Sequence, residues 1–195
     1  MTPTRISLAA AGAAVIVLLV IGLSQLGGSS ASTAPSKLTL AQMQARLSGS
    51  PAPLVALHAQ GDEILPGGLA AVRTRLASLR GRPIVVNKWA SWCVPCKAEF
   101  GAFQSASLTR GRQVAFIGID SEDDSASAAG FLRSFPVSYP SYFDPSGQAG
   151  VAITDSSSTP VTVFYNARGS QYIHQGPYLS ASKLEADIAR YALNG

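Results

Sequence analysis

Two cysteines, Cys93 and Cys96, are the only ones in this chain of 195 residues. They follow almost at once on a short apolar run, residues 83–89 (Pro-Ile-Val-Val-Asn-Lys-Trp). A run so rich in β-branched residues suits a strand buried on both faces. Residues 93–108 read as a helix, so the cysteines fall in the first turn of a helix that leaves the end of a buried strand. A spacing of two lets both sulfurs share that turn, where unpaired N–H groups and the positive end of the helix dipole favour a thiolate. Disulfide exchange needs an attacking thiolate and a second thiol to resolve the mixed disulfide. Cys93, at the helix start, is expected as the exposed nucleophile, and Cys96, one turn in, as the shielded resolving thiol. Pro95 lacks an N–H that a first turn does not need. A zinc site would need two further ligands, and His58 and His174, the only histidines, form no spaced pair. No metal is expected.

The remaining segments alternate. Residues 39–47 and 69–79 show helical apolar spacing, residues 113–119 (Gln-Val-Ala-Phe-Ile-Gly-Ile) repeat the buried-strand pattern, and residues 125–134 follow as a helix. The acidic turn 120–124 ahead of that helix is favourable near its positive end. Residues 137–143 read as extended. Residues 159–165 and 171–175, around Asn166-Ala167-Arg168-Gly169, read as a hairpin, and 180–192 as a last helix. The order α-β-α-β-α, then hairpin, then α, implies parallel strands joined by antiparallel ones.

From residue 6 to residue 26 there is no charge, and Arg5 lies just ahead. Such a stretch is long enough to cross a bilayer with its N-terminus inside; a cleaved signal peptide is the competing reading, and both place the rest outside the cytoplasm. Residues 1–28 are assigned as anchor or uncleaved signal, 29–37 as a Gly/Ser/Pro tether and 38–195 as the folded domain. The formal net charge is +4, carried in part by Arg73, Arg75, Arg80, Arg82, Arg110 and Arg112. These read as a solvated face or as a basic surface for an acidic partner or anionic lipid. No basic run with interleaved aromatics suggests nucleic acid.

Residues 85–100 (Val-Val-Asn-Lys-Trp-Ala-Ser-Trp-Cys-Val-Pro-Cys-Lys-Ala-Glu-Phe) resemble the active-site segment of the TlpA/ResA/CcmG (DsbE-like) branch of the thioredoxin superfamily. The likeness extends through Ile117-Gly118-Ile119-Asp120, Tyr142-Phe143-Asp144-Pro145-Ser146-Gly147 and Thr159-Pro160. The resemblance implies an α/β, thioredoxin-like fold with a central mixed sheet flanked by helices, carried behind an N-terminal transmembrane helix. It implies that Cys93 and Cys96 are the redox pair and that Trp92 flanks the nucleophile. It also implies that Pro160, after Thr159, is a cis-proline offering backbone to a substrate, and that Glu99 tunes the thiols. Asn87 stands where cytoplasmic relatives carry a buried acid, and cannot accept a proton. The branch consists of membrane-tethered extracytoplasmic proteins that reduce or form disulfides, often during cytochrome c maturation. The partners implied are protein substrates such as apocytochrome c and an integral membrane electron donor of the CcdA/DsbD type. No nucleotide, flavin or haem motif is visible, which leaves the redox-active disulfide itself and no other cofactor.

Three departures stand out. Lys88 replaces the usual strand aromatic and is expected to reach solvent or pair with an acid. Val94-Pro95 offers no cation to the thiolate, which with Glu99 favours a reducing couple; a disulfide-forming oxidase and a non-catalytic peptide-binding module are the rivals. Phe100-Gly101 stands where a proline often kinks the helix. Residues 38–80 are expected as a helical N-terminal extension lacking the branch's usual first strand.

Overall fold

The structure is a computed structural model that describes residues 37–195. The anchor or signal assigned to residues 1–28, and nearly all of the tether, lie outside the described residues. Among those described, no helix is long and apolar enough to cross a membrane.

The chain begins with α1 (Leu40–Arg46), opened by a capping box between Thr39 and Gln42. It continues through α2 (Ala52–Ala59), β1 (Ile64–Leu65), α3 (Gly68–Ser78) and β2 (Ile84–Trp89). Then come α4 (Val94–Arg110), β3 (Ala115–Ser121), α5 (Ser125–Ser134), β4 (Ser141–Asp144) and α6 (Gln148–Thr154). The hairpin β5 (Val161–Tyr165) and β6 (Gln171–Gln175) leads to α7 (Ala181–Asp187), which runs on into a π-helical turn, Ile188–Leu193. The six strands form one mixed sheet in the order β1-β4-β3-β2-β5-β6. β2 lies at its centre, parallel to β3 and antiparallel to β5, and all six of its residues are buried.

Alternation along β2 divides the core. Val85 and Trp89 join Phe100, Phe103, Phe116, Phe131 and Tyr178 on the side covered by α4, α5 and α7. Ile84 and Val86 join Leu54, Val72, Ile117 and Val163 on the other. Trp89 packs edge-on against Phe100, with ring centroids 5.1 Å apart, and its indole N–H donates to Ser141 Oγ at 3.0 Å. Gly118 makes room for that bond, because a Cβ there would sit 2.1 Å from Ser141 Oγ.

The expected mixed sheet is present, and the sequence reading needs correction at four places. The 38–80 extension is not wholly helical: Ile64 and Leu65 form β1, parallel to Ser141 and Tyr142 of β4. Two residues are too few to show any alternation. α2, capped by Pro51, lies between the two helices expected at 39–47 and 69–79, and proline suits its start. The seven-residue α6, after Gly147 in a left-handed conformation, carries no capping signal and was not expected. Lys88 neither reaches solvent nor forms an ion pair among the described residues. It is fully buried, and its ammonium donates to the Ser156 carbonyl at 3.0 Å.

Candidate active site

The central strand ends at Trp89, and four residues later Cys93 caps α4. Cys93 is bonded to Cys96, with Cα atoms 5.3 Å apart. The Cys96 N–H donates to Cys93 Sγ at 3.2 Å, so the first turn of α4 directs a backbone donor at the sulfur expected to become the thiolate. Pro95 occupies the second position of that turn. α4 then runs through Phe100-Gly101 without a break. The expected exposure of Cys93 is not found in this oxidised form: Cys93 is 3% exposed and Cys96 0%. Accessibility belongs instead to the flanking Trp92, at 57%, and Val94, at 72%. The Trp92 indole N–H donates to the Glu122 carbonyl at 2.9 Å, which pins the ring to the loop after β3.

Asn87 and Glu99 meet behind the cysteines. Glu99 follows Cys96 by three residues on the same face of α4 and is fully buried, not the solvent-facing carboxylate of an ordinary helix surface. One carboxyl oxygen accepts the Tyr178 N–H at 3.0 Å; the other has no partner. Burial pushes its pKa up to about 8, against the smaller opposing pull of the Tyr178 N–H and of Asn87. Asn87 shares the Trp89 face of β2, and its carboxamide faces Glu99 and Tyr139 without hydrogen-bond alignment to either. A carboxyl titrating near 8 is mostly protonated at neutral pH, so Glu99 is a proton donor and acceptor matched to a thiol rather than a standing negative charge.

Thr159 and Pro160 reach the same end of the sheet on the neighbouring strand. The bond between them is cis. Val161, the next residue, pairs with Lys88, which sets Pro160 beside the end of β2 from which the cysteine loop departs. The Pro160 carbonyl is taken by the Gly176 N–H at 3.1 Å. The backbone of half-buried Thr159 forms no hydrogen bond among the described residues, so Thr159 presents the open peptide group at this edge.

The acidic turn, expected as helix-end charge, divides into separate roles. Asp124 fills the expected one, its carboxylate accepting the Ser127 N–H. Asp123 instead accepts from the Ser91 N–H and, at 2.9 Å, from the Ser91 hydroxyl, tying the loop before Cys93 to the loop after β3. Asp120, opposite Trp89 in the sheet, is fully buried with both oxygens unpartnered. Burial and then the neighbouring Asp123 raise its pKa to about 8. An acid closing an otherwise unbroken buried-strand run is the signal that could have found it. Among the described residues no group of His, Cys, Asp and Glu is arranged to hold a metal.

A disulfide on the first turn of a helix, behind a central strand and beside a cis-proline, matches a known group. The sequence profile of the Redoxin family matches residues 47–167. The chain belongs to the Redoxin family. That match begins inside the segment set apart above as 38–80. Similar proteins include a thiol:disulfide interchange protein DsbE from Pseudomonas fluorescens, 30% identical over 66% of this chain and 66% of its own length. Another is the thiol-disulfide oxidoreductase ResA of Bacillus subtilis, 28% identical over 50% of this chain and 54% of its own. The chain thus spans about half to two thirds of these relatives. Among solved structures, a secreted Mycobacterium tuberculosis disulfide oxidoreductase homologous to Escherichia coli DsbE is 26% identical, with a TM-score of 0.54 over 58% of this chain and 85% of that one.

Proposed function

We propose that this Redoxin-family chain is an extracytoplasmic thiol–disulfide oxidoreductase, attached to the membrane through residues 6–26, that reduces protein disulfides. The observation that carries the reading is the Cys93–Cys96 disulfide on the first turn of α4, with the Cys96 N–H on Cys93 Sγ. In the reduced protein the Cys93 thiolate attacks a substrate disulfide, and the departing substrate sulfur takes a proton. Once the Glu99 carboxyl, which titrates near 8, has lost its own proton to solvent, it takes the Cys96 proton; Cys96 attacks Cys93 Sγ, which re-forms the intramolecular disulfide, and the second departing substrate sulfur takes a proton from water. Thr159 offers its peptide group to the substrate backbone, and Trp92 and Val94 supply the apolar rim. The likeness of residues 85–100 to the TlpA/ResA/CcmG branch supports apocytochrome c as substrate and a CcdA/DsbD-type membrane protein as the source of electrons.

The test is the equilibrium potential of the pair against glutathione, together with turnover of a disulfide peptide. The expected potential is nearer thioredoxin, about −270 mV, than DsbA, about −120 mV. A value above about −180 mV would overturn the reductant role in favour of an oxidase. Turnover should fall to background in Cys93→Ser, whereas in Cys96→Ser the mixed disulfide should accumulate. Peptide binding retained in Cys93→Ser, with no turnover by the unaltered protein, would point to a binding module.

A further inference from the structure

At the end of the sheet opposite the cysteines lies a cavity of about 720 Å³. Ile84, the first residue of β2, and Tyr165, its partner at the end of β5, lie on its wall. Arg73, Arg80, Arg82 and Arg168 also line it, and no acidic residue does. The ion pairs among the described residues are Arg110–Glu185 and Lys183–Asp187, so none of these four guanidinium groups is neutralised by a carboxylate side chain. Arg168 donates to the Gly195 carbonyl. Arg73, Arg80 and Arg168 are exposed, and Arg82 is half-buried. Three arginines without an acidic partner, Arg73, Arg80 and Arg82, with Arg168 beside them on the Gly195 oxygen, suit phosphate, which guanidinium groups bind in a forked, two-bond geometry. The apolar wall suits the glycerol and first methylenes of a lipid better than a free anion.

The position of the cavity adds a second argument. Gly111, which closes α4 and precedes β3, lies against Leu47 and His58. α1 and α2 therefore pack at the end where β2 and β3 begin, since Ile84 pairs with Ala115. The chain thus enters the described domain at the arginine end and carries its cysteines at the far one. An anchor ahead of residue 37 is joined to the basic end.

We propose that this arginine-lined cavity docks on the phosphate headgroups of an anionic membrane surface, so that the domain stands with its redox end facing away from the bilayer. The setting rests on the membrane-attached reading above, whereas the recognition chemistry does not.

The test uses the full chain on vesicles of phosphatidylcholine alone and of phosphatidylcholine mixed with phosphatidylglycerol, read by backbone hydrogen exchange. Exchange in residues 73–82 and 165–169 should slow on the anionic vesicles only. An arginine near such a surface is worth about 1 kcal/mol, so each Arg→Ser change should weaken the effect about fivefold. Arg73→Ser/Arg80→Ser should nearly abolish it, with an unchanged thermal midpoint showing that the variant is folded. Equal exchange on both kinds of vesicle would overturn the proposal. So would protection by glycerol phosphate or polyglutamate in neutral detergent without any lipid effect, which would assign the cavity to a soluble phosphate or an acidic partner. Flotation with neutral vesicles reads the anchor separately. If the chain fails to float there, the attachment reading falls, and flotation on anionic vesicles that is lost in the double variant would still support the cavity's role.

Discussion

Asn87 and Lys88 are neighbours on the same central strand, both buried, and they face opposite sides of the sheet into different polar interiors. On the Lys88 side the buried charged groups are partnered. The ammonium bonds the Ser156 carbonyl, which also accepts the Thr154 hydroxyl. Asp144 accepts from the Ser121 hydroxyl and the Gly150 N–H. Gly150 is glycine because a Cβ there would lie 2.7 Å from Lys88 Cε. On the Asn87 side, atoms of Asn87, Glu99, Asp120 and Tyr139 are buried without hydrogen-bond partners. Saturated polar contacts fix a loop in place, here the one leading to Thr159-Pro160. Unsaturated ones leave carboxyls whose protonation is poised near the range of a thiol. The second side is the one that holds the cysteines.

The sharpest way to break this comparison is at Lys88. Lys88→Ala removes a long buried stem and a hydrogen bond and should destabilise the oxidised protein by roughly 2–4 kcal/mol. Lys88→Met restores the volume and should recover most of that stability, while slowing peptide turnover if the Ser156 bond positions the Thr159-Pro160 loop. Urea unfolding and turnover, measured on both variants, separate the two effects.

The two sides should also respond to pH with opposite sign. Glu99 and Asp120 have folded pKa values near 8, raised from 4.5 and 3.8. Their stabilising contribution is complete at low pH and is lost as pH rises through about 8. Glu99→Gln and Asp120→Asn should each flatten that decline, by several kcal/mol in urea unfolding compared between acid and alkaline buffers. Burial pulls Lys88 below its ordinary value, so its contribution is lost as pH falls. Profiles of Glu99→Gln or Asp120→Asn that run parallel to the unaltered protein would remove the distinction.

The smallest effect is expected at the exposed rim. Trp92→Phe loses one indole bond to the Glu122 carbonyl and should change stability by less than about 1 kcal/mol. Peptide KM should nevertheless rise, if the ring contacts substrate.

Much of this was legible in the sequence because it obeys local rules. β2 opens on a β-branched run, Ile84-Val85-Val86, α4 begins at a cysteine pair containing proline, and the β5–β6 hairpin turns on Asn166-Ala167-Arg168-Gly169. Glu99 was half-legible: it shares the spacing of Cys96, Phe100 and Phe103, and an acid within an apolar stripe marks a buried carboxyl. Lys88 and Asp123 were not legible. Their partners, Ser156 and Ser91, stand 68 and 32 residues away, and no local pattern encodes such distances. β1 was hidden for the same reason, since its pairing rests wholly on β4.

The two outermost strands have a consequence for self-association. β1 offers only two residues of ladder. β6 alternates Gln171, Tyr172, Ile173, His174 and Gln175, and Tyr172 is stacked against Tyr191 with ring centroids 3.6 Å apart. A stub on one margin and a polar, partly covered strand on the other give a second copy little backbone to extend. Crowded molecules of this protein can therefore meet active site to disulfide without joining sheet to sheet.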